Sequence, residues 1–268
     1  MQDITIRNAS LADAPRILEI YAWYVEHTVI TFEYDVPSLE EFEGRMRRTM
    51  QKYPYLVIER DGRVEGYAYA GPFVGRAAYD WACELTIYLD HDARKHGMGR
   101  ALYEALADRL AASGYNAVRI HHHDPYMVKR ENGRSTELDP VRMDQLDYLA
   151  SCLKQRGIYL VTDLYVSRHL EVGEIPEFPK QRLWQETFKP LVFVLDSVME
   201  NWKRFAANLL NHRNPYTGLT WKEEPALLSV SLVNEDTLSA YWNRTPEVAA
   251  REGTHFYMTT GCSAPPRI

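Results

Sequence analysis

The sequence predicts an α/β protein in which a mixed sheet with helices is followed by βα units. Short apolar strands and amphipathic helices alternate along the 268-residue chain, Asp61-Gly62 marks a hairpin, and a strand-helix-strand pattern follows residue 116. A content of 46% hydrophobic and 25% charged residues is typical of globular proteins, and the length suits one large or two ordinary domains. We divide the chain into residues 1–115 and 116–268.

Charge and cysteine usage narrow the class of protein. A net charge of −6 and a pI near 5.9 offer no electrostatic reason to expect nucleic acid or an anionic membrane as partner. Cys83, Cys152 and Cys262 lie far apart, which indicates neither a disulfide framework nor a zinc ribbon. The N-terminus lacks an apolar signal core, and the longest wholly apolar run, residues 191–195, is too short for a bilayer. We expect a cytoplasmic protein.

The first 72 residues predict two helices and a hairpin. The first helix covers residues 14–27 with Asp13 as its N-cap, and the second covers residues 39–50, with Ser38 and Glu41 as a capping box. Strands are predicted at residues 5–7, 55–59 and 63–69, the last two flanking the turn at Asp61-Gly62.

A strand, a charged turn and a helix follow at residues 84–89, 90–99 and 100–112. The helix carries Leu102, Leu106 and Leu110 as an apolar stripe for packing on a sheet, and Gly114 ends it.

The turn before this helix predicts an anion site. Gly97 and Gly99 lack Cβ atoms, so the backbone can approach a phosphate closely, and the first-turn N–H groups point outward. Cationic side chains are added by Arg94, Lys95, His96 and Arg100. The arrangement suits a pyrophosphate; the alternative is a tight strand-to-helix turn with a solvated basic face.

The pattern Arg94-x-x-Gly97-x-Gly99, between an apolar strand and an Ala/Leu helix, resembles the acetyl-coenzyme A signature of the GNAT N-acetyltransferases. Thr31-Phe32-Glu33 with Pro37-Ser38-Leu39-Glu40-Glu41 is similar to a segment of the phosphinothricin acetyltransferase group within that superfamily. The resemblance covers residues 3–115 and implies acetyl-coenzyme A as acyl donor. It assigns the pantetheine arm to the backbone of Ile87, Tyr88 and Leu89, and the pyrophosphate to Arg94, Lys95, His96, Gly97, Met98, Gly99 and Arg100.

The same resemblance implies that Glu84 is the general base for a small-molecule amine, which attacks the thioester directly. We expect burial between Trp81 and Leu85 to raise the pKa of this carboxyl group. The alternative is an ordinary salt-bridged glutamate. The last strands of such a domain have no counterpart after residue 116, so the match is truncated.

The second part of the chain predicts further βα units. Strands are expected at residues 116–123, 157–164 and 226–233, and helices at 141–156 and 195–210. The order resembles part of a clan A glycoside hydrolase (β/α)₈ barrel. The resemblance implies that Glu235 is the acid/base and that Asn234 contacts a sugar 2-hydroxyl, but retaining hydrolysis needs a second carboxylate and none is identified.

Two further alternatives stay open. His121 and His123 with Asp124 offer zinc ligands, but a pocket or packing role is favoured and no metal site is predicted. The chain is alternatively a non-catalytic fusion of two fragments, in which the strand at Ala117 completes the first sheet. An open barrel fragment leaves unpaired strand edges, which predicts self-association.

Overall fold

The computed structural model describes residues 4–31, 33–73, 77–93, 96–129 and 134–235. The chain forms two compact units, Met1–Tyr115 and Asn116–Ile268. The described part of the first contains a four-stranded sheet and that of the second a three-stranded sheet, which confirms the α/β class.

The first unit places its strands in the order β1-β2-β3-β4, and every neighbouring pair is antiparallel. Its elements are, in chain order, β1 (Ile4–Asn8), α1 (Ala14–His27), α2 (Leu39–Met50), β2 (Tyr55–Arg60), β3 (Arg63–Pro72), β4 (Cys83–Leu89) and α3 (Met98–Ala112).

The hairpin between β2 and β3 has the predicted turn. Asp61 and Gly62 both have positive φ angles, 52° and 80°, and Arg60 lies opposite Arg63. Two successive left-handed residues match the right-handed twist of the flanking strands. The prediction is confirmed.

The predicted N-caps of the first two helices, Asp13 and Ser38, have different outcomes. Asp13 lies at the N-cap position of α1, as predicted, but its side chain makes no capping bond to that helix. It also ends a 3₁₀ turn (Leu11–Asp13), and its Oδ2 accepts hydrogen bonds from the backbone N–H (2.7 Å) and Oγ (3.1 Å) of Ser10. Ser38 does cap α2, since its Oγ accepts from the N–H of Glu41 at 3.2 Å.

The sheet of the first unit carries helices on both faces. Tyr55, Val57 and Tyr67 pack with α1 and α2, whereas Leu56, Ile58 and Ala68 pack with α3. This follows from the period of two along each strand. In β4 the side chain of Tyr88 therefore faces α1, and those of Ile87 and Leu89 face α3.

The second unit has a parallel sheet in the order β5-β6-β7. Its elements are β5 (Ala117–Ile120), α4 (Pro140–Gln155), β6 (Tyr159–Asp163), α5 (Gln185–Leu191), α6 (Asp196–Asn211) and β7 (Leu227–Ser231). Strands and helices lie where the sequence predicts them, except α5, which was missed. That helix is short and contains Pro190, and it is held by burial of Phe188 against Tyr165, with ring centroids 3.8 Å apart.

The strand at Ala117 does not complete the first sheet. It pairs in parallel with β6, Ala117 lying opposite Tyr159. Among the described residues no strand pairs with the outer edge of β4. Within those same ranges, none of the helices is both long and apolar enough to cross a bilayer.

Candidate functional site

The turn after β4 is anchored through Asp90. Its backbone N–H donates to the carbonyl of Glu65 (2.8 Å), its Oδ1 accepts from the N–H of Asp92 (2.9 Å), and Arg16 of α1 pairs with its Oδ2. Burial opposes ionisation of Asp90, but the hydrogen bonds from Asp92 and Arg16 outweigh it and hold its pKa below the ordinary value. The turn therefore leaves the sheet in a fixed direction.

The predicted anion site lies where this turn enters α3. Gly97 is the N-cap with φ +75°, and no atom lies within 4 Å of the position that a Cβ would take there. A Cβ at Gly99 would meet only the Cδ1 atom of Leu89, at 3.4 Å. No side chain caps the helix, and the N–H groups of a first turn have no acceptor within the helix. The space and the donors fit a phosphate group.

The helix begins two residues earlier than predicted, at Met98 rather than Arg100. Met98 is 1% exposed and belongs to the core beneath α3, so its burial fixes the first turn. His96 and Arg100 are exposed beside it. Arg94 and Lys95 lie outside the described residues, so their predicted role stays a prediction.

The backbone of β4 points alternately towards β3 and away from it. Asp90 is hydrogen-bonded to Glu65, so by alternation the backbone groups of Tyr88 pair with Tyr67, and those of Ile87 and Leu89 point to the open edge. Two of the three predicted pantetheine-binding residues, Ile87 and Leu89, thus direct their backbone groups to the edge, whereas the backbone of Tyr88 faces β3 and its side chain lies on the α1 face.

Glu84 lies at the end of β4 that is farther from the turn, opposite Gly71 of β3. The predicted burial is wrong: Glu84 is exposed, Trp81 is 91% exposed and Leu85 is 38% exposed. No strand covers this edge in the described ranges, which leaves the carboxylate in contact with solvent. Neither an ion pair nor a hydrogen bond of Glu84 is seen among the described residues, so the salt-bridged alternative finds no support there.

A polar and aromatic wall, which sequence reasoning missed, lies on the same face as Glu84. The ring of Tyr88 contacts that of Tyr21, with centroids 5.5 Å apart, and the Tyr21 hydroxyl donates to Oε2 of Glu33 at 3.0 Å. Arg45 pairs with Glu33 at 2.6 Å. Burial and then the bond to Glu33 raise the pKa of Tyr21, so its hydroxyl stays a neutral donor. The position of Tyr21 on the apolar face of α1 could be read from the sequence, but its hydrogen-bond partner Glu33 could not.

The second unit gathers polar side chains at the carboxyl ends of its strands. Asp163, whose side chain is fully buried, accepts from Arg119 (2.9 Å) and pairs with Nδ1 of His121 (2.8 Å). Arg119 also donates to Oδ1 of Asn234 at 2.8 Å. Burial opposes ionisation of Asp163, but Arg119 and His121 outweigh it and lower its pKa. Glu235 follows Asn234 with an exposed side chain and a φ of 51°.

The three consecutive histidines do not share a strand, because β5 ends at Ile120 and His122 has a φ of 53°. His121 binds Asp163, whereas Nε2 of the buried His123 lies 3.4 Å from the Thr162 hydroxyl. Asp124 accepts from the backbone N–H groups of the loop after β6, at Val166, Ser167 and Arg168. The zinc alternative is thus unsupported, because its members have separate partners.

Comparisons with known proteins match the first unit and the first residues that follow it. A family model described as an acetyltransferase (GNAT) domain matches residues 6–122. The phosphinothricin N-acetyltransferase of Streptomyces viridochromogenes is 36% identical over 43% of this chain and 63% of its own length. The L-methionine sulfoximine/L-methionine sulfone acetyltransferase of Pseudomonas paraeruginosa is 33% identical over 42% of this chain and 67% of its own length.

Among solved structures, a GNAT superfamily phosphinothricin acetyltransferase from Sinorhizobium meliloti, in complex with AcCoA, is 40% identical. The match covers 41% of this chain and 60% of that one, with a TM-score of 0.40. The chain therefore spans less than two thirds of the length of the first relatives it matches, at 63% and 54%.

Proposed function

Since the chain belongs to the GNAT acetyltransferase family through its first unit, we propose that it transfers an acetyl group from acetyl-coenzyme A to the amine of a small molecule. One observation carries the proposal: the left-handed Gly97 and the uncapped start of α3 adjoin the open edge of β4. We call the anion site at residues 97–100 the cradle. A cradle beside an unpaired strand edge suits a ligand that has both a pyrophosphate and an amide-bearing arm.

The residues present fit such a donor. The N–H groups at the start of α3 would hold the pyrophosphate, with His96 and Arg100 exposed beside it. The outward backbone groups of Ile87 and the outward N–H of Leu89 would pair with the arm as an added strand would. From Leu89 the arm would run along β4 towards Glu84, five residues away, or about 17 Å at the usual rise per residue of an antiparallel strand.

Glu84 is proposed as the general base. When bound, acetyl-coenzyme A supplies an activated thioester. Glu84 takes a proton from the acceptor ammonium, directly or through a water molecule, so that the amine nitrogen can attack the carbonyl carbon. A C–N bond forms and the C–S bond breaks; the nitrogen loses its second proton to solvent as it becomes the amide, and the departing thiolate takes up a proton from solvent. The outward N–H groups of the strand face the developing oxyanion.

We propose an amino-acid-like acceptor. Two similar proteins bear the names of acetyltransferases for phosphinothricin and for methionine sulfoximine. The wall formed by Tyr21, Tyr88 and Glu33 supplies an aromatic surface and a carboxylate on the face that Glu84 shares. Such groups suit a small polar amine better than an extended apolar one.

Calorimetric titration with acetyl-coenzyme A tests the donor site. We expect saturable binding by the parent protein, binding within a fewfold by Gly99→Ala, and loss of binding by Gly99→Glu, which puts bulk and negative charge into the cradle. The alanine variant is the matched control, because its Cβ meets only Leu89 at an ordinary contact distance of 3.4 Å. No binding by the parent at high micromolar ligand would refute the proposal.

A second candidate function belongs to the second unit. The bonds that join Arg119, Asp163 and Asn234 form a polar cluster at the carboxyl ends of parallel strands, where βα proteins bind ligands. We propose that Asn234 and Glu235 contact a sugar, as the glycoside hydrolase resemblance implies. Asp163 is occupied by Arg119 and His121, so binding is proposed rather than hydrolysis. Calorimetry with gluco- and manno-oligosaccharides, using Glu235→Gln as the comparison, tests this; heats no greater than that of dilution would refute sugar binding by the second unit.

A further inference from the structure

The end of the open β4 edge nearest the cradle is already occupied by a side chain from α1. The hydroxyl of Tyr24 donates to the backbone carbonyl of Leu89 at 2.6 Å. That carbonyl belongs to the outward set, together with the groups of Ile87. Tyr24 thus satisfies an edge acceptor that an added strand would otherwise use.

Packing fixes the position of this hydroxyl. Tyr24 is 8% exposed, and its ring lies edge-on to Trp23 and Tyr88, with centroids 5.1 and 5.0 Å away. Trp23 in turn stacks on His91 in the turn after β4, with centroids 4.6 Å apart. Because α1 holds both the end of β4 and the turn, the Tyr24 bond is part of a rigid contact and not a chance meeting of mobile side chains.

We propose that Tyr24 is a positioning residue that sets the register of the acyl donor on β4. This inference rests on the proposed donor site. Because the Leu89 carbonyl already accepts a hydrogen bond from Tyr24, the carbonyl that an arm leaving the cradle would bond is that of Ile87, which is nearer to Glu84. Outward groups recur every second residue, so a free Leu89 carbonyl would allow a register shifted by about 7 Å. A shift of that size would remove the thioester from the reach of Glu84.

The test separates the arm from the nucleotide. The parent chain, Tyr24→Phe and Tyr55→Phe are each titrated with acetyl-coenzyme A and with 3′-phosphoadenosine 5′-diphosphate, which keeps the pyrophosphate and lacks the arm. Tyr55 is the matched control: it is a buried tyrosine of the same core, on β2, and β3 separates it from the β4 edge.

We expect Tyr24→Phe to bind both ligands within about threefold of the parent, because the bond that it loses is not a bond to the ligand. Its kcat, measured by thiol release, should fall roughly three- to tenfold, because the freed carbonyl admits the shifted, unproductive register. Tyr55→Phe should change neither affinity. Weaker binding of both ligands would overturn the inference, because it would indicate a general effect on folding of the cradle, and so would an unchanged kcat.

Failure of the proposed function has a different signature. If the parent does not bind acetyl-coenzyme A, the donor site itself is wrong and the register inference falls with it. If the parent binds acetyl-coenzyme A but Tyr24→Phe releases thiol as fast as the parent, only the role of Tyr24 is overturned.

Discussion

Replacing Gly66 by alanine should strain the contact between β3 and β4. A Cβ at this position would overlap Cδ2 of Leu89 and would lie 2.8 Å from the carbonyl oxygen of Tyr88 and 3.3 Å from Cγ2 of Ile58. The leucine can rotate away, but the carbonyl is part of the ladder. Since unstrained carbon contacts begin at about 3.5 Å, β4 must move outward by roughly half an ångström or more.

Overpacking of this kind costs about 1–3 kcal/mol. Loss of glycine entropy in the unfolded chain returns about 0.4–1 kcal/mol, so the expected net loss of stability is about 1–2 kcal/mol. For a unit of this size that corresponds to a fall in Tm of roughly 4–10 °C. Because Leu89 and Tyr88 are displaced, the affinity for acetyl-coenzyme A should fall as well.

Gly71 supplies the matched control on the same strand. A Cβ there meets only the Tyr69 ring, at 3.5 Å, so Gly71→Ala should leave Tm within about 2 °C of the parent. Differential scanning calorimetry of the two variants measures the difference. If Gly66→Ala is as stable as Gly71→Ala, the close approach of β3 and β4 is not a constraint and the reasoning is refuted.

Three further predictions concern catalysis, pH and association. Glu84→Gln should keep acetyl-coenzyme A binding and lower kcat about 10²-fold or more, as measured by thiol release; an unchanged kcat would remove Glu84 as the base. The hydrogen bond from Arg7 lowers the pKa of Asp13 from 3.8 to about 2, so its stabilisation is complete above pH 4 and lost as the pH falls through 2. Because Arg7 is partly exposed, Asp13→Asn should lower the free energy of unfolding by only about 1 kcal/mol at pH 7, as measured by urea unfolding. If the stability of the variant falls below pH 4 as steeply as that of the parent, the role of Asp13 is contradicted. We expect the protein to self-associate through the edges of β5 and β7. A monodisperse monomer in sedimentation velocity would refute this.

Much of the candidate site was readable as local pattern. The cradle needs glycine between an apolar strand and a helix, and the hairpin needs residues that tolerate positive φ at Asp61-Gly62. These are properties of a few consecutive residues, so neighbouring letters suffice to predict them. The strands and long helices of both units followed for the same reason.

Other features depended on partners distant in sequence. Whether Glu84 is buried depends on what covers the β4 edge, and the strand at Ala117 joins β6 because its ladder partner lies 42 residues later, at Tyr159. The bond from Tyr24 to Leu89 spans 65 residues.

The sequence by itself therefore determined the fold class, the turn chemistry and the family of the first unit. Only the tertiary structure decided which backbone groups face the open edge and which side chains already occupy it, because alternation along a strand becomes a site only when the neighbouring strand and helix are in place.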